Sequence, residues 1–113
     1  MSERFLPKQH IRRPIEFTHA LKLGKRHTAG PFTCFYLKTD RDFSRLGMII
    51  GKKYCKLAVA RNRLKRLIRE QFRRSAIVAL GLDVVILLRA SCEAVPEQEQ
   101  KVCLEKLFTG FAA

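Results

Sequence analysis

Residues 83–89, Asp-Val-Val-Ile-Leu-Leu-Arg, are apolar at consecutive positions rather than alternate ones. A strand of that kind has no face for water, so it belongs inside a sheet with protein on both sides. The chain has 113 residues, about one domain, and 47% of them are hydrophobic, enough for a single core. No repeat, low-complexity tract or linker divides it, so residues 1–113 read as one domain.

The other elements follow from local signals. Pro14 suits a first helical turn, Phe17, Ala20 and Leu21 share a helical face, and Gly24 is a stop, which predicts a helix over 14–23. The aromatic-rich run 32–38 predicts a strand, with Phe32, Cys34 and Tyr36 facing one way and Thr33, Phe35 and Leu37 the other. Residues 46–51 form a second apolar strand ended by Lys52 and Lys53. Pro96 opens a last helix whose stripe is Cys103, Leu104, Leu107, Phe108 and Phe111.

Charge narrows the function. Lys and Arg number 23 against 10 Asp and Glu, a net +13. A small domain that basic repels itself, and the excess implies a polyanionic partner, nucleic acid before an anionic membrane. The charge is focused. Residues 52–75 hold ten bases and one acid, Glu70, whereas residues 76–113 hold three bases and five acids. Within that block, Leu64, Leu67, Ile68 and Phe72 cover one ~140° helical face. Asn62, Arg66, Arg69 and Arg73 fall within ~60° of each other opposite it, flanked by Lys65 and Arg63. Exposed helix faces ordinarily mix signs and gain i,i+4 pairs; one nearly all cationic is destabilised unless an anion meets it. Arginine dominance suits phosphate oxygens and base stacking. An aromatic pair, Phe17 and Phe35, is either core or a second surface able to stack unpaired bases.

These residues resemble the bacterial ribonuclease P protein family. The segment GKKYCKLAVARNRLKRLIREQFR carries a lysine pair after a strand, a short basic loop and the pattern R-N-R-x-K-R-x-x-R-E-x-F-R. The flanking IEFTHALKLG, FTCFYL and DVVILLR resemble that family too, so nearly the whole chain is covered. The resemblance implies an α+β fold in the order αβββαβα. Its four-stranded mixed sheet forms a two-layer, ribosomal-protein-like sandwich with an unusual left-handed βαβ crossover, where the ordinary rule is right-handed. It implies docking on a catalytic RNA through Lys52, Lys53, Lys56, Arg61, Asn62, Arg63, Lys65, Arg66, Arg69 and Arg73. It also implies a cleft for the 5′ leader of precursor tRNA, involving Phe17, Leu21, Thr33 and Phe35. Leu21 stands where the family commonly has an aromatic, Phe35 where it has tyrosine, and Gly51 where it has serine or alanine.

A catalytic centre within the chain is not expected. Two-metal phosphoryl chemistry needs several converging carboxylates, and here acids are sparse, with Asp40 and Asp42 reading as a polar turn. His10, His19 and His27 have no ligand spacing, and an acid–base pair of His19 and His27 would need the two to meet. Cys34, Cys55, Cys92 and Cys103 include no C-x-x-C pair and read as small apolar residues or idle thiols. The expectation is a subunit that binds no cofactor itself, with Mg2+ entering through the RNA, and that needs no protein partner. The N-terminal sequence lacks a signal-like apolar run and no stretch suits a membrane span, so a cytoplasmic location is expected. The rival readings are a ribosomal RNA binder, a stand-alone nuclease and a membrane-surface protein.

Overall fold

A computed structural model describes residues 7–109. Phe111, placed in the last stripe by its spacing, lies outside them, as do the first six residues of the N-terminal segment. Three helices, α1 (Pro14–Leu23), α2 (Ala58–Arg74) and α3 (Glu97–Thr109), accompany strands β1 (Lys25–Ala29), β2 (Phe32–Lys38), β3 (Arg45–Ile49) and β4 (Leu82–Leu88). The order is αβββαβα. The sheet order is β1-β2-β4-β3, with β4 antiparallel to β2 and parallel to β3. The doubly apolar strand is therefore interior, as its composition requires.

Strand alternation divides the core. Phe32, Cys34, Val84 and Ile86 face α2 and α3, where Leu64, Ile68, Phe72, Leu104, Leu107 and Phe108 complete the larger cluster. That sheet and helix layer is the expected sandwich. Phe35 and Val85 face the other way and pack with Ile11 and Ala20, and against the half-buried Phe17, Ile49 and Leu87. Helix α1 thus lies on the opposite face. Its Phe17 ring presses on β3 at Gly47, where a β-carbon would stand 2.5 Å from Phe17 Cε1 and 2.7 Å from Cζ. Gly47→Ala should cost about 1–3 kcal/mol through overpacking, read as a lowered melting temperature.

Strand β1 was not expected from its own residues. Lys-Arg-His-Thr-Ala shows no apolar alternation, and its first four residues are exposed. The strand exists because antiparallel pairing with β2, from Lys25↔Tyr36 to Ala29↔Phe32, extends the sheet by one edge. Gly24 ends α1 with extended backbone (φ −78°) rather than a left-handed turn. It is required by crowding: a β-carbon there would lie 2.5 Å from the Ala20 carbonyl oxygen and 2.6 Å from that of Tyr36.

Two further contacts fix the layers. The N-terminal segment runs beside β3, where Ile11 N–H donates to the Leu46 carbonyl at 2.9 Å. At the start of β3 and β4, buried Asp83 accepts from Arg45 Nε and Nη2, both at 3.0 Å, and from Arg41. Arg45 Nη2 also donates to Glu16 of α1 at 2.9 Å, so a chain of charges ties that helix to the sheet.

Candidate nucleic-acid interface

The helix α2 begins three residues before Arg61 and buries Leu64, Ile68 and Phe72, which turns the opposite stripe outward. Asn62, Arg63 and Arg66 are exposed; Lys65, Arg69 and Arg73 are half-buried along their stems. The single acid on the helix is already neutralised. Arg73 Nε and Nη2 donate to Glu70 at 2.5 and 2.6 Å, and Arg74 Nη2 donates at 3.3 Å. The hydrogen bond from Arg73 holds the Glu70 carboxyl below its ordinary value. Among the described residues, Arg63, Lys65, Arg66 and Arg69 have no carboxylate within ion-pair distance. In the N-terminal segment, burial first, then the charges of Arg12 and Arg69, depress the His10 pKa.

The loop before α2 presents exposed Lys52, Lys53 and Lys56. It is held by backbone bonds. The Gly51 carbonyl accepts from Tyr54 and Cys55 N–H at 3.3 and 3.2 Å, and the Tyr54 carbonyl accepts from Cys92 N–H at 2.9 Å. Arg61 Nη1 donates to the carbonyls of Cys55 and Lys56, both at 2.9 Å. One of the expected docking cations is therefore engaged in pinning the loop that carries the others. Cys55 and Cys92 adjoin beneath this loop as free thiols, and burial pushes Cys92 up to about 11. Cys34 is likewise buried and protonated, pushed up to about 12 by burial, and Cys103 is half-buried. On one side the surface is bounded by a groove of about 190 Å³, with Arg63 on one wall and Glu93 and Glu97 on the other. Those carboxylates repel phosphate and mark an edge.

The second surface lies on the α1 face of the sheet, and strand register gives its plan. One row across the sheet is Arg26, Phe35, Val85 and Gly47; the next is Thr28, Thr33, Leu87 and Ile49. Helix α1 roofs the first row, with Phe17 on Gly47 and Ala20 in the cluster with Phe35 and Val85. The second row lies beyond that cluster's centre. Ile49 and Leu87 are half-buried there and Thr28 is exposed. Phe17 and Phe35 are thus brought together, but Phe35 is only 9% exposed. Thr33 is buried: its hydroxyl meets Thr28 Oγ1 at 3.3 Å and accepts from Arg89 Nη1 at 3.1 Å. Leu21 is exposed on α1 and does not join the cluster. At β3 the open row ends on Ile49, the last residue of that strand, with Gly51, Lys52 and Lys53 following closely in sequence.

Arg26, Thr28, Leu87 and Arg89 escaped the sequence reading of this surface. Arg26 and Thr28 sit on the unrecognised strand. Arg89 meets Thr33 only through pairing of residues 56 positions apart. The histidines do not form an acid–base pair: His27 stacks on Tyr36 (centroids 5.2 Å apart) on the α3 face, whereas His19 belongs to α1 on the other. Asp40 and Asp42 are exposed in a bend. Among the described residues no three His, Cys, Asp or Glu side chains converge on a metal-sized site, and no helix is long and apolar enough to cross a membrane.

A family model for ribonuclease P matches residues 5–112. The ribonuclease P protein component of Nitrosococcus oceani is 36% identical over 97 residues, covering 86% of this chain and 82% of its own. That of a Marinomonas strain is 40% identical over 84 residues, covering 74% and 64%. Among solved structures, the Staphylococcus aureus RNase P protein superposes with a TM-score of 0.80 at 26% identity, over 91% of this chain and 94% of that one. The Thermotoga maritima RNase P protein superposes with a TM-score of 0.76 at 30% identity, over 89% and 96%.

Proposed function

Since the chain belongs to the ribonuclease P protein family, we propose that it is the subunit that docks on the catalytic RNA and steadies the 5′ leader of precursor tRNA while that leader is removed endonucleolytically. The observation that carries this reading is the one-signed face of α2, with Glu70 cancelled from within and Arg63, Lys65, Arg66 and Arg69 left for an outside anion. Asn62 and Lys52, Lys53 and Lys56 extend that face. Arg61 acts in it by holding the loop, and Arg73 lies at its self-paired end.

In the second contact, a single strand leaving the RNA surface passes Lys52 and Lys53 and enters the open row of the sheet. Phe17 and Leu21 form its helical wall, and Thr28, Leu87 and Ile49 its floor. Phe35 and Thr33 support that floor from within, and Arg26 and Arg89 supply cations for the strand's phosphates. Three of the acids are already engaged, since Asp83, Glu16 and Glu70 serve arginines, and among the described residues no three His, Cys, Asp or Glu side chains converge on a metal-sized site. The reading further assigns hydrolysis and its Mg2+ to the RNA partner, and takes the protein to act without a cofactor of its own or a further protein, in the cytoplasm.

The test is equilibrium binding to a bacterial catalytic RNA across a salt series. With about six cations meeting phosphates, log K should fall against log salt with a slope of roughly −4 to −5. Arg66→Ala should weaken binding and flatten that slope by about 0.7–0.9 without lowering the melting temperature, because Arg66 is exposed opposite the core face. A slope near zero, or lost stability with RNA affinity intact, would refute docking through α2.

A further inference from the structure

The cationic stripe of α2 does not begin with a polar residue. At about 100° per residue, Val59 lies about 20° from Arg66, about 40° from Arg63 and about 60° from Asn62. It is 68% exposed, and Leu57, immediately before the helix, is 64% exposed. A β-branched residue at an exposed helical position gains nothing from burial and is a poorer helix former than the Lys or Arg used elsewhere on this stripe. Isolated exposed apolar residues are ordinary. Val59 is not scattered in that sense, because it stands inside a cationic face, nearly in line with Arg66 and one turn ahead of Asn62 and Arg63.

From this placement we propose that Val59 is an apolar contact for an unstacked base of the RNA that the surrounding cations bind. The proposal rests on the reading of α2 as the RNA-docking helix. Arg63 and Arg66 would meet the phosphates on either side, and the branched Val59 side chain would lie against one base face between them. A base presents a flat apolar face whatever its identity, so the contact adds affinity with little sequence demand. A second copy of this chain fits the patch badly, because joining two such faces would oppose two unneutralised arginine stripes.

The full chain, the catalytic RNA and a monovalent salt series test this. Val59→Thr exchanges one methyl for a hydroxyl at nearly constant shape. It should weaken RNA binding by about three- to tenfold at every salt concentration, with the log–log slope and the melting temperature unchanged. A cation acts through counterion release and a methyl does not, so an unchanged slope is the signature of an apolar contact. If Val59→Thr binds like the parent while Arg66→Ala is weakened, the apolar contact is refuted and the docking reading stands. If neither variant loses affinity, the docking reading falls and takes the proposal with it. A flattened slope in Val59→Thr would mean that the residue acts by arranging the cations, which also overturns the proposal. So would self-association of the parent in sedimentation that Val59→Thr abolishes while RNA affinity is unchanged.

Discussion

Replacing Asp83 with alanine is expected to destabilise the fold by about 3–5 kcal/mol, the range for removing one partner of a buried ion pair. Asp83 is 6% exposed and serves two guanidinium groups. Without it Arg41 and Arg45 remain partly desolvated, with side chains 30% and 15% exposed, and among the described residues Glu16 is the acid left to Arg45. Arg41 Nε is buried without a partner even in the intact protein, so there is no slack to absorb the loss. Asp83→Asn, which keeps the shape and two of the lone pairs, should lose less. Urea unfolding monitored by circular dichroism measures both. The effect should also be directional. Arg45 reaches α1 through Glu16, so the leader surface should suffer even in molecules that remain folded, whereas α2 docks from the opposite face of the sheet. Equal losses of leader-bearing tRNA and of catalytic RNA would show that the charge chain supports the fold as a whole.

A comparable loss, about 3–5 kcal/mol, is expected for Phe35→Ala, because the ring fills the space between α1, Val85 and Ile11. That loss alone leaves its part in leader binding open. Phe35→Leu retains most of the buried volume and removes the flat ring. If the ring edge reaches the strand in the open row, Phe35→Leu should weaken precursor tRNA binding to the holoenzyme by about 1–3 kcal/mol relative to mature tRNA, with RNA docking unaffected. Equal affinity for both tRNAs in Phe35→Leu would confine Phe35 to the core.

Periodicity internal to one element was legible in the amino acids. The faces of α2 follow from residues at most eleven positions apart, and the structure buries Leu64, Ile68 and Phe72 as that spacing requires. The interior place of β4 follows from its own side chains, and α1 from Pro14 and its apolar face. Properties that exist only between distant segments were hidden. Strand β1 is defined by its partner and not by its composition. The placing of Thr33 beside Leu87, and of Arg89 on Thr33, depends on the β2–β4 register. Arg61 was recognisable as a cation, yet its targets are two backbone carbonyls, which no side-chain pattern announces.

The position of β4 between β2 and β3 has a kinetic consequence. Those two strands share no ladder of their own, and Phe32 meets Leu88 only after the whole of α2 has been threaded between them in sequence. Such closure pays its loop entropy before any pairing rewards it, which slows the search. On the ribosome, the β1–β2 hairpin and the basic helix emerge before the strand that unites the sheet. For that interval Leu64, Ile68 and Phe72 lack Val84 and Ile86 at the centre of their floor, and Leu104, Leu107 and Phe108 beside it, while the arginines on the other side of the same helix are already complete. The nascent chain therefore carries its charge for RNA before it has the complete core that orients it.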